Sequence, residues 1–500
     1  MLHRRASGIL LHISSLPSQF GIGDFGPGSY EFADFLHRSN QRVWQMLPLT
    51  QVEKGQGYSP YSSISSRAGN TFFISPELLV QDGLLTKEFL HKLKIASTAQ
   101  IDFESVEVKK KAMLDEAWKN YMQKSKDLRV EEYDEFCKTQ REWLPDFALY
   151  CVIRNQNRGK PWFEWEDSLK NRDVEALKLF EAEHQQEVNR IKWEQYIFSK
   201  QWHALKNYCN KLGIELFGDV PFYVSHDSAD VWANQEIFKL DKKGMPLGIA
   251  GVPPDFFSED GQLWGMPVFR WNVLRLNGFA WWAERLNRNI ELFDIVRLDH
   301  FRAFSAYWEV PPNEKTAANG KWKKVPGDYF FREMKKRLGK LPFIAEDLGD
   351  IDDAVYRLRD KFKFPGMKVL QFAFGDEMET SSFIPHNYDK NFIAYTGTHD
   401  NNTLVGWFEE ADEKTKQQVE QYMGQSLTVE NLFNVIGRSL YASVADTVIF
   451  PVQDILKLGA DSRMNSPSTA KGNWTWRLLP GQFTKDEEKL LKQWTMLYNR

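Results

Sequence analysis

The stretch FDIVRLDH, at positions 293–300, is a short apolar run that ends in charged residues. Seven similar runs occur along the chain, separated by segments of helical periodicity: GILLHISS (8–15), VWQMLPL (43–49), IELFGDVPFYV (214–224), PFIAEDLG (342–349), MKVLQFAF (367–374), NFIAYTGTHD (391–400) and DTVIFPVQDIL (446–456). Apolar runs without alternation are typical of parallel strands covered on both faces. Eight of them predict an α/β fold, a (β/α)8 TIM barrel, with a doubly wound open sheet as the alternative.

One interval between the runs is much longer than the others and indicates an insertion. Residues from about 75 to 200 separate the second run from the third, and their middle part, ESVEVKKKAMLDEAWKNYMQKSKDL, is charged, helix-periodic and free of Gly and Pro. We predict a mainly helical insertion over the carboxyl-terminal face of the barrel. The rest of the chain has no low-complexity linker, so residues 1–500 are predicted to form one barrel domain. About 45 residues follow Gln453, too few for a C-terminal β-sandwich.

Composition and charge exclude several classes of protein. With 42% apolar and 26% charged residues, the chain is typical of globular proteins. A net charge of −4 with intermixed signs leaves no basic stripe for a nucleic acid. The first apolar run is too short for a signal peptide and no later stretch reaches membrane-spanning length, so we expect a cytoplasmic location and no membrane partner. We expect a monomer or a weak homo-oligomer.

Aromatic residues are more frequent than a core alone would need, with 18 Trp, 17 Tyr and 36 Phe. Sugar rings pack their C–H faces on aromatic rings, while their hydroxyls need planar polar partners. The composition therefore favours a carbohydrate ligand. A large aromatic core without a sugar site is the alternative.

Carboxylates stand at the ends of four predicted strands: Asp219, Asp299, Glu346 and Asp400. Because the carboxyl ends of barrel strands share one face, these side chains are predicted to surround one site. A single aspartate at a strand end is more often a helix N-cap or an ion-pair partner, and the set of four is what favours catalysis. Cleavage of a glycosidic bond needs one carboxylate nucleophile and one protonated carboxyl, for which Asp299 and Glu346 are the candidates.

The neighbours of these carboxylates support that assignment. Arg297 lies two residues before Asp299, so both side chains point to one face of a strand and the guanidinium would hold Asp299 ionised. An ordinary buried ion pair would have the same sequence. Glu346 ends an apolar strand, where burial raises a carboxyl pKa toward that of a general acid. His399 and Asp400 can bind sugar hydroxyls; a metal site is the rival interpretation, but no His or Cys cluster completes one, and no cofactor is predicted.

Longer motifs along nearly the whole chain resemble those of one family. They are SSLPSQFGIGDFG (14–26), YSPYSSISSRAGN (58–70), GDVPFYVSHDSADVW (218–232), AGVPPDFFSEDGQLWG (250–265), RLDHFRAF (297–304), AEDLG (345–349), TGTHDN (396–401) and ADSRMNSP (460–467). Together they are similar to the motifs of the amylomaltases, the 4-α-glucanotransferases of glycoside hydrolase family 77 in the α-amylase superfamily.

The resemblance implies roles for individual residues. Asp299 would be the nucleophile, Glu346 the acid/base and Asp400 the stabiliser of the transition state. Further residues are expected to contact substrate: Arg297, His399, Asp219, Tyr58, Ser59, Trp264, Phe256, Phe257 and Asn465. The implied reaction moves α-1,4-glucan segments from a maltooligosaccharide donor to the 4-hydroxyl of an acceptor glucan or glucose by a retaining double displacement, without a metal or organic cofactor.

The same carboxylates serve transfer and hydrolysis, so the acceptor decides the outcome. Water at about 55 M competes with roughly millimolar acceptor, and transfer needs a preference of about 10⁵, or about 6 to 7 kcal/mol. The segment at about 250–265, with Phe256, Phe257 and Trp264, is predicted to be an active-site loop that holds the acceptor and excludes water; a packed surface loop is the alternative. An α-glucan hydrolase and a non-catalytic glucan-binding protein are the alternative functions.

Overall fold

The computed structural model describes residues 5–124, 130–254, 259–467, 469 and 471–500. The strands are β1 (Ala6–Leu10), β2 (Val43–Gln45), β3 (Glu215–Val220), β4 (Ile249–Val252), β5 (Gln262–Pro267), β6 (Ile295–Leu298), β7 (Ala306–Val310), β8 (Lys321–Lys324), β9 (Phe343–Ala345), β10 (Gly366–Val369), β11 (Phe392–Tyr395) and β12 (Thr447–Pro451). The helices are α1 (Pro27–Arg38), α2 (Pro76–Gln81), α3 (Lys87–Leu93), α4 (Phe103–Lys124), α5 (Val130–Thr139), α6 (Leu144–Gln156), α7 (Asp167–Lys170), α8 (Val174–Glu183), α9 (Gln185–Lys211), α10 (Ala229–Ala233), α11 (Trp271–Leu276), α12 (Ala280–Leu292), α13 (Gly327–Leu338), α14 (Asp353–Phe362), α15 (Leu404–Glu410), α16 (Glu413–Met423), α17 (Val429–Ala442), α18 (Val452–Ile455) and α19 (Lys485–Leu497).

Eight of the strands form a barrel. They are hydrogen-bonded in the order β10, β11, β12, β1, β2, β3, β6 and β9, and every pair is parallel. The two edges meet where the N–H of Ala345 in β9 donates to the carbonyl of Pro365, just before β10, at 2.9 Å. Each of these strands overlaps one of the eight predicted runs. The predicted TIM barrel is therefore confirmed, and the open doubly wound sheet is excluded.

Close packing of helices on the barrel explains why its strands are so apolar. Trp202 of α9 is fully buried and packs edge-on against Phe293, with ring centroids 5.6 Å apart. The Phe293 ring in turn fills the space above Gly218 in β3, where an added Cβ would lie 2.1 Å from a ring carbon. Glycine at this position therefore lets the strand and the aromatic layer approach each other.

Helices α2 to α9 lie between β2 and β3, where the sequence predicts the helical insertion. The charged, helix-periodic middle of that segment corresponds to α4. Arg154 of α6 forms ion pairs with Glu53, which follows β2, and with Asp227, which follows β3, at 2.5 and 3.2 Å. These bonds join the insertion to loops at the carboxyl ends of two barrel strands. No helix among the described residues has the length and apolar character needed to cross a membrane.

A second, four-stranded antiparallel sheet, in the order β5, β4, β7 and β8, was not expected from the sequence. Its first two strands fall in the segment at about 250–265 that was predicted as an active-site loop, so the described flanks of that segment form a β-hairpin. Phe256 and Phe257 lie outside the described residues. After β12, the described residues form α18, a short 3-10 turn and α19.

Gly218→Ala should lower the free energy of unfolding by about 1 to 3 kcal/mol, because the new methyl group must displace the Phe293 ring. Urea denaturation followed by tryptophan fluorescence measures the change. Gly459→Ala is the matched control, since a Cβ there meets nothing within 4 Å. Equal midpoints for the two variants would contradict the close packing of β3 on the aromatic layer.

Candidate active site

The barrel brings the predicted carboxylates to one face. Asp219 lies in β3, Arg297 lies in β6, and Asp299 follows the end of β6. Glu346 comes directly after β9, and Asp400 lies in the loop that follows β11. All five positions are at or just beyond the carboxyl ends of parallel strands, which is where barrel enzymes place their chemistry.

Arg297 is the buried centre of this group. Its Nη1 lies 2.6 Å from Asp219 Oδ2, and its Nη2 lies 2.9 Å from Asp299 Oδ1. Burial alone lowers the pKa of Arg297, but the two carboxylates more than offset this and raise it well above its ordinary value. The guanidinium therefore stays charged. It fixes the orientation of Asp299, whose side chain is 27% exposed while that of Asp219 is 1% exposed.

Glu346 is held by the backbone on both oxygens. The N–H of His300 donates to Oε2 at 2.8 Å, and the N–H of Leu348 donates to Oε1 at 3.0 Å. His300 reaches this position in the left-handed conformation, with φ 49°, which costs a non-glycine residue about 1 to 2 kcal/mol. Burial raises the pKa of Glu346 to about 8; Arg297 acts against this rise and Asp299 adds to it. At neutral pH the carboxyl group is mostly protonated.

Asp400 has the opposite character. Asn465 Nδ2 donates to its Oδ1 at 2.7 Å, and His399 Nε2 lies 3.1 Å from its Oδ2. Burial acts to raise the pKa of Asp400, but the His399 ring and the Asn465 amide lower it well below its ordinary range. The side chain is 43% exposed, so Asp400 presents an ionised carboxylate at the same face of the barrel as the protonated Glu346.

Tyr61 is a site residue that the sequence reasoning missed. Its hydroxyl donates to Asp219 Oδ2 at 2.7 Å and lies 2.8 Å from His399 Nε2, and its ring stacks on the His399 ring with centroids 5.2 Å apart. Burial raises the pKa of Tyr61 well above its ordinary value, so the hydroxyl keeps its proton. Since that proton goes to Asp219, the hydroxyl accepts from His399, and Nε2 is the protonated nitrogen.

Trp264 lies beside His300, the residue that follows Asp299. Its ring meets the His300 ring edge-on at 5.0 Å and the Tyr223 ring at 5.9 Å. Its indole N–H donates to Gln262 Oε1 at 3.2 Å, which fixes the ring on strand β5. The second sheet, rather than the barrel itself, thereby holds an apolar surface against His300.

In the described part of the chain, Tyr58 and Ser59 contact residues other than the four site carboxylates. The Tyr58 ring stacks on Phe103 of α4, with centroids 4.1 Å apart, so one of its faces is covered by the insertion. Ser59 Oγ accepts from the N–H of Tyr61 at 3.2 Å and so shapes the turn that presents Tyr61. Substrate contact by Tyr58 stays a prediction. No residue-level signal separates Tyr58 from Tyr61 in the motif YSPY.

This geometry supports acid-assisted attack by a carboxylate on a neutral ligand. One carboxylate, Asp299, is held in an ion pair, and one carboxyl group, Glu346, is neutral and buried. Glycosidic cleavage requires one ionised carboxylate and one protonated carboxyl group.

Comparison with known proteins also points to an enzyme that acts on α-glucans. The family model described as 4-alpha-glucanotransferase, glycoside hydrolase family 77, matches residues 11–482. The chain belongs to this family. A 4-alpha-glucanotransferase of Synechocystis sp. is 45% identical over 503 residues, which cover 100% of this chain and 99% of that protein. A 4-alpha-glucanotransferase of Thermus thermophilus is 40% identical over 98% of this chain and 97% of its own length.

A solved member of the family has nearly the same fold. The structure of amylomaltase from Streptococcus agalactiae in complex with acarbose superposes with a TM-score of 0.95, at 41% identity over 99% of this chain and 100% of that chain. An amylomaltase from Corynebacterium glutamicum shares the fold at only 16% identity, with a TM-score of 0.80. Membership of a transferase family does not favour the α-glucan hydrolase alternative.

Tyr61→Phe should lower kcat by about 10- to 100-fold, because it removes a hydrogen bond to each of Asp219 and His399 while the stacked ring stays in place. Initial rates on maltotriose measure the loss. Tyr208→Phe is the matched control: it removes a bond of 2.6 Å to Asp34 between α9 and α1, outside the site, and should leave kcat unchanged. Equal kcat in the two variants would show that the Tyr61 hydroxyl is dispensable.

Proposed function

We propose that this chain is a 4-α-glucanotransferase that moves α-1,4-glucan segments between maltooligosaccharides by a retaining double displacement. Asp299 is the nucleophile, Glu346 the general acid and base, and Asp400 the residue that binds sugar hydroxyls in the transition state. The observation that carries the proposal is the contrast between Asp299, ion-paired with Arg297, and Glu346, whose pKa is raised to about 8 by burial.

In the first step an oxygen of Asp299 forms a bond to the anomeric carbon while the bond from that carbon to the glycosidic oxygen breaks. Glu346 gives its proton to this oxygen, and the shortened glucan leaves as an alcohol. The Asp299 charge is lost in the ester. Because that charge contributes to the raised pKa of Glu346, its loss lowers the pKa of Glu346 and favours the carboxylate form.

In the second step Glu346 acts as a base. It takes the proton of the acceptor 4-hydroxyl as the acceptor oxygen forms a bond to the anomeric carbon, and the bond to Asp299 breaks. Asp400, ionised by its contacts with His399 and Asn465, suits hydrogen bonds from sugar hydroxyls in both steps. The Trp264 ring supports the exclusion of water and the stacking of an acceptor sugar. Contacts of Phe256 and Phe257 with the acceptor belong to this proposal.

The substrates are proposed to be α-1,4-glucans on both the donor and the acceptor side. Contacts of Tyr58 and Ser59 with the donor belong to this proposal. A cytoplasmic location and a monomeric or weakly self-associating state stay predictions from the sequence.

Incubation with maltotriose tests the reaction type. Longer maltooligosaccharides should appear together with glucose while total reducing ends stay nearly constant, because each transfer makes as many reducing ends as it uses. Steadily rising reducing ends with only shorter products would mean hydrolysis.

Glu346→Gln should abolish disproportionation of maltotriose but keep glucan binding measured by calorimetry, because the substitution removes the proton and changes the shape of the side chain little. Asp347→Asn, which breaks a neighbouring ion pair with Arg359, should lower stability but retain turnover.

The alkaline limb of the rate profile should report Glu346. Its protonated form is required in the first step and is lost as pH rises through about 8, so kcat/KM should fall tenfold per pH unit above that value. Initial rates from about pH 6 to about pH 10 measure the limb. Tyr61→Phe should keep the limb at the same pH because the phenol titrates well above it. A rate that stays level beyond pH 9 would remove Glu346 from the acid role.

A further inference from the structure

The loop at 396–404, which carries His399 and Asp400, is fastened at both ends to one buried carboxyl group. The Thr396 hydroxyl donates to Asp454 Oδ2 at 2.5 Å, and the N–H of Leu404 donates to Asp454 Oδ1 at 2.7 Å. Leu404 begins α15 and Thr396 directly follows β11. A single side chain therefore sets the span of the loop.

Burying the Asp454 carboxyl group costs free energy that packing alone does not offset. It lies in α18, directly after β12, and is 1% exposed. Burial raises its pKa to about 6, and the bonds from Thr396 and Leu404 act against that rise. A buried carboxyl group destabilises a fold unless its oxygens are hydrogen-bonded, so these two bonds are what make the position tolerable.

The residue before it, Gln453, holds the second segment that reaches Asp400. Gln453 Nε2 donates to the carbonyl of Ser462 at 3.2 Å. One residue later, Arg463 donates through Nη2 to the backbone carbonyl of Asp400 at 2.7 Å and through Nε to the carbonyl of Asn465 at 2.6 Å. The Asn465 amide then binds the Asp400 carboxylate. Both segments that meet on Asp400 thus depend on the same dipeptide.

A small cavity lies beside the 396–404 loop. It is lined by His399, Asn401 and Asn402 from the loop and by Asp454 and Arg463. Side chains that border a cavity lack neighbours there and can shift when a bond is lost. A displacement of about 1 Å at a reacting group can cost about 100-fold in rate.

We propose that Gln453 and Asp454 are positioning residues of the transfer reaction, which hold the 396–404 loop and the Ser462–Asn465 segment so that Asp400 faces the sugar. Neither side chain contacts the glucan; both act through Asp400. The inference rests on the proposed role of Asp400 in the transition state.

Three variants test Asp454, with kcat and KM measured for maltotriose disproportionation. Asp454→Ala and Thr396→Val should each lower kcat by about 10- to 100-fold, with KM changed less than about threefold, because Asp400 is used mainly in the transition state. Asp454→Asn should restore kcat to within about fivefold of the wild type. Its carbonyl oxygen still accepts from Leu404, and its amide donates to a Thr396 hydroxyl that has rotated to accept.

Gln453→Leu tests the second residue in the same assay and should lower kcat by about 5- to 20-fold, because it frees the Ser462 carbonyl while filling similar volume. Thr495→Val is the matched control for stability. It removes buried bonds to Gln41 and Leu491 near the amino ends of β1 and β2 and should lower Tm without lowering kcat.

The outcomes separate this inference from the proposed function. Wild-type kcat in Thr396→Val and Gln453→Leu would overturn it, and so would an Asp454→Asn variant as slow as Asp454→Ala, since charge rather than position would then matter. If Asp454→Ala does not fold, Thr396→Val and the Asn variant decide the question. A wild-type protein that fails to disproportionate maltotriose would instead overturn the proposed function.

Discussion

A buried guanidinium between two carboxylates is the constraint on which this site depends. Arg297 and Asp219 are direct register partners on β6 and β3, so the parallel pairing of those strands sets the distance between the charges. A charge this deeply buried destabilises the fold unless partners surround it. The register of β3 against β6 therefore sets the Arg297–Asp219 pair, while Asp299, two residues further along the chain, reaches the second guanidinium nitrogen from the end of β6.

From that pair a chain of polar contacts runs across the mouth of the barrel. Arg297 binds Asp219, Asp219 accepts from Tyr61, and Tyr61 contacts His399, which in turn lies against Asp400. The chain starts in β6 and ends in the loop after β11. Groups separated widely in sequence are thus held in one network, in which a shift of any member changes the orientation of its neighbours.

The elements that sequence could predict are those with a local signature. Eight apolar runs mark the barrel strands, and the two-residue spacing in Arg297 and Asp299 places both side chains on one face. The second sheet was missed because its strands are short and half-exposed, without an apolar run. Tyr61 and Asp454 were missed for another reason. The roles of Tyr61 and Asp454 depend on contacts with Asp219 and Thr396, which lie 158 and 58 positions away in the sequence, so no local pattern predicts them.

The same electrostatics explain how two carboxyl groups exchange roles within one reaction. In the proposed reaction the negative charge is on Asp299 and the proton is on Glu346 before attack; after attack Asp299 is an uncharged ester and Glu346 is the anion. Arg297 interacts with both residues, so its field stabilises the charge in either place. The net charge of the site is unchanged through the first step, and the surrounding dipoles need little reorganisation. The acceptor alcohol then meets the Glu346 carboxylate, whose pKa is no longer raised by a charge on Asp299. Once Glu346 has taken the acceptor proton and Asp299 is free again, Glu346 can protonate the next donor.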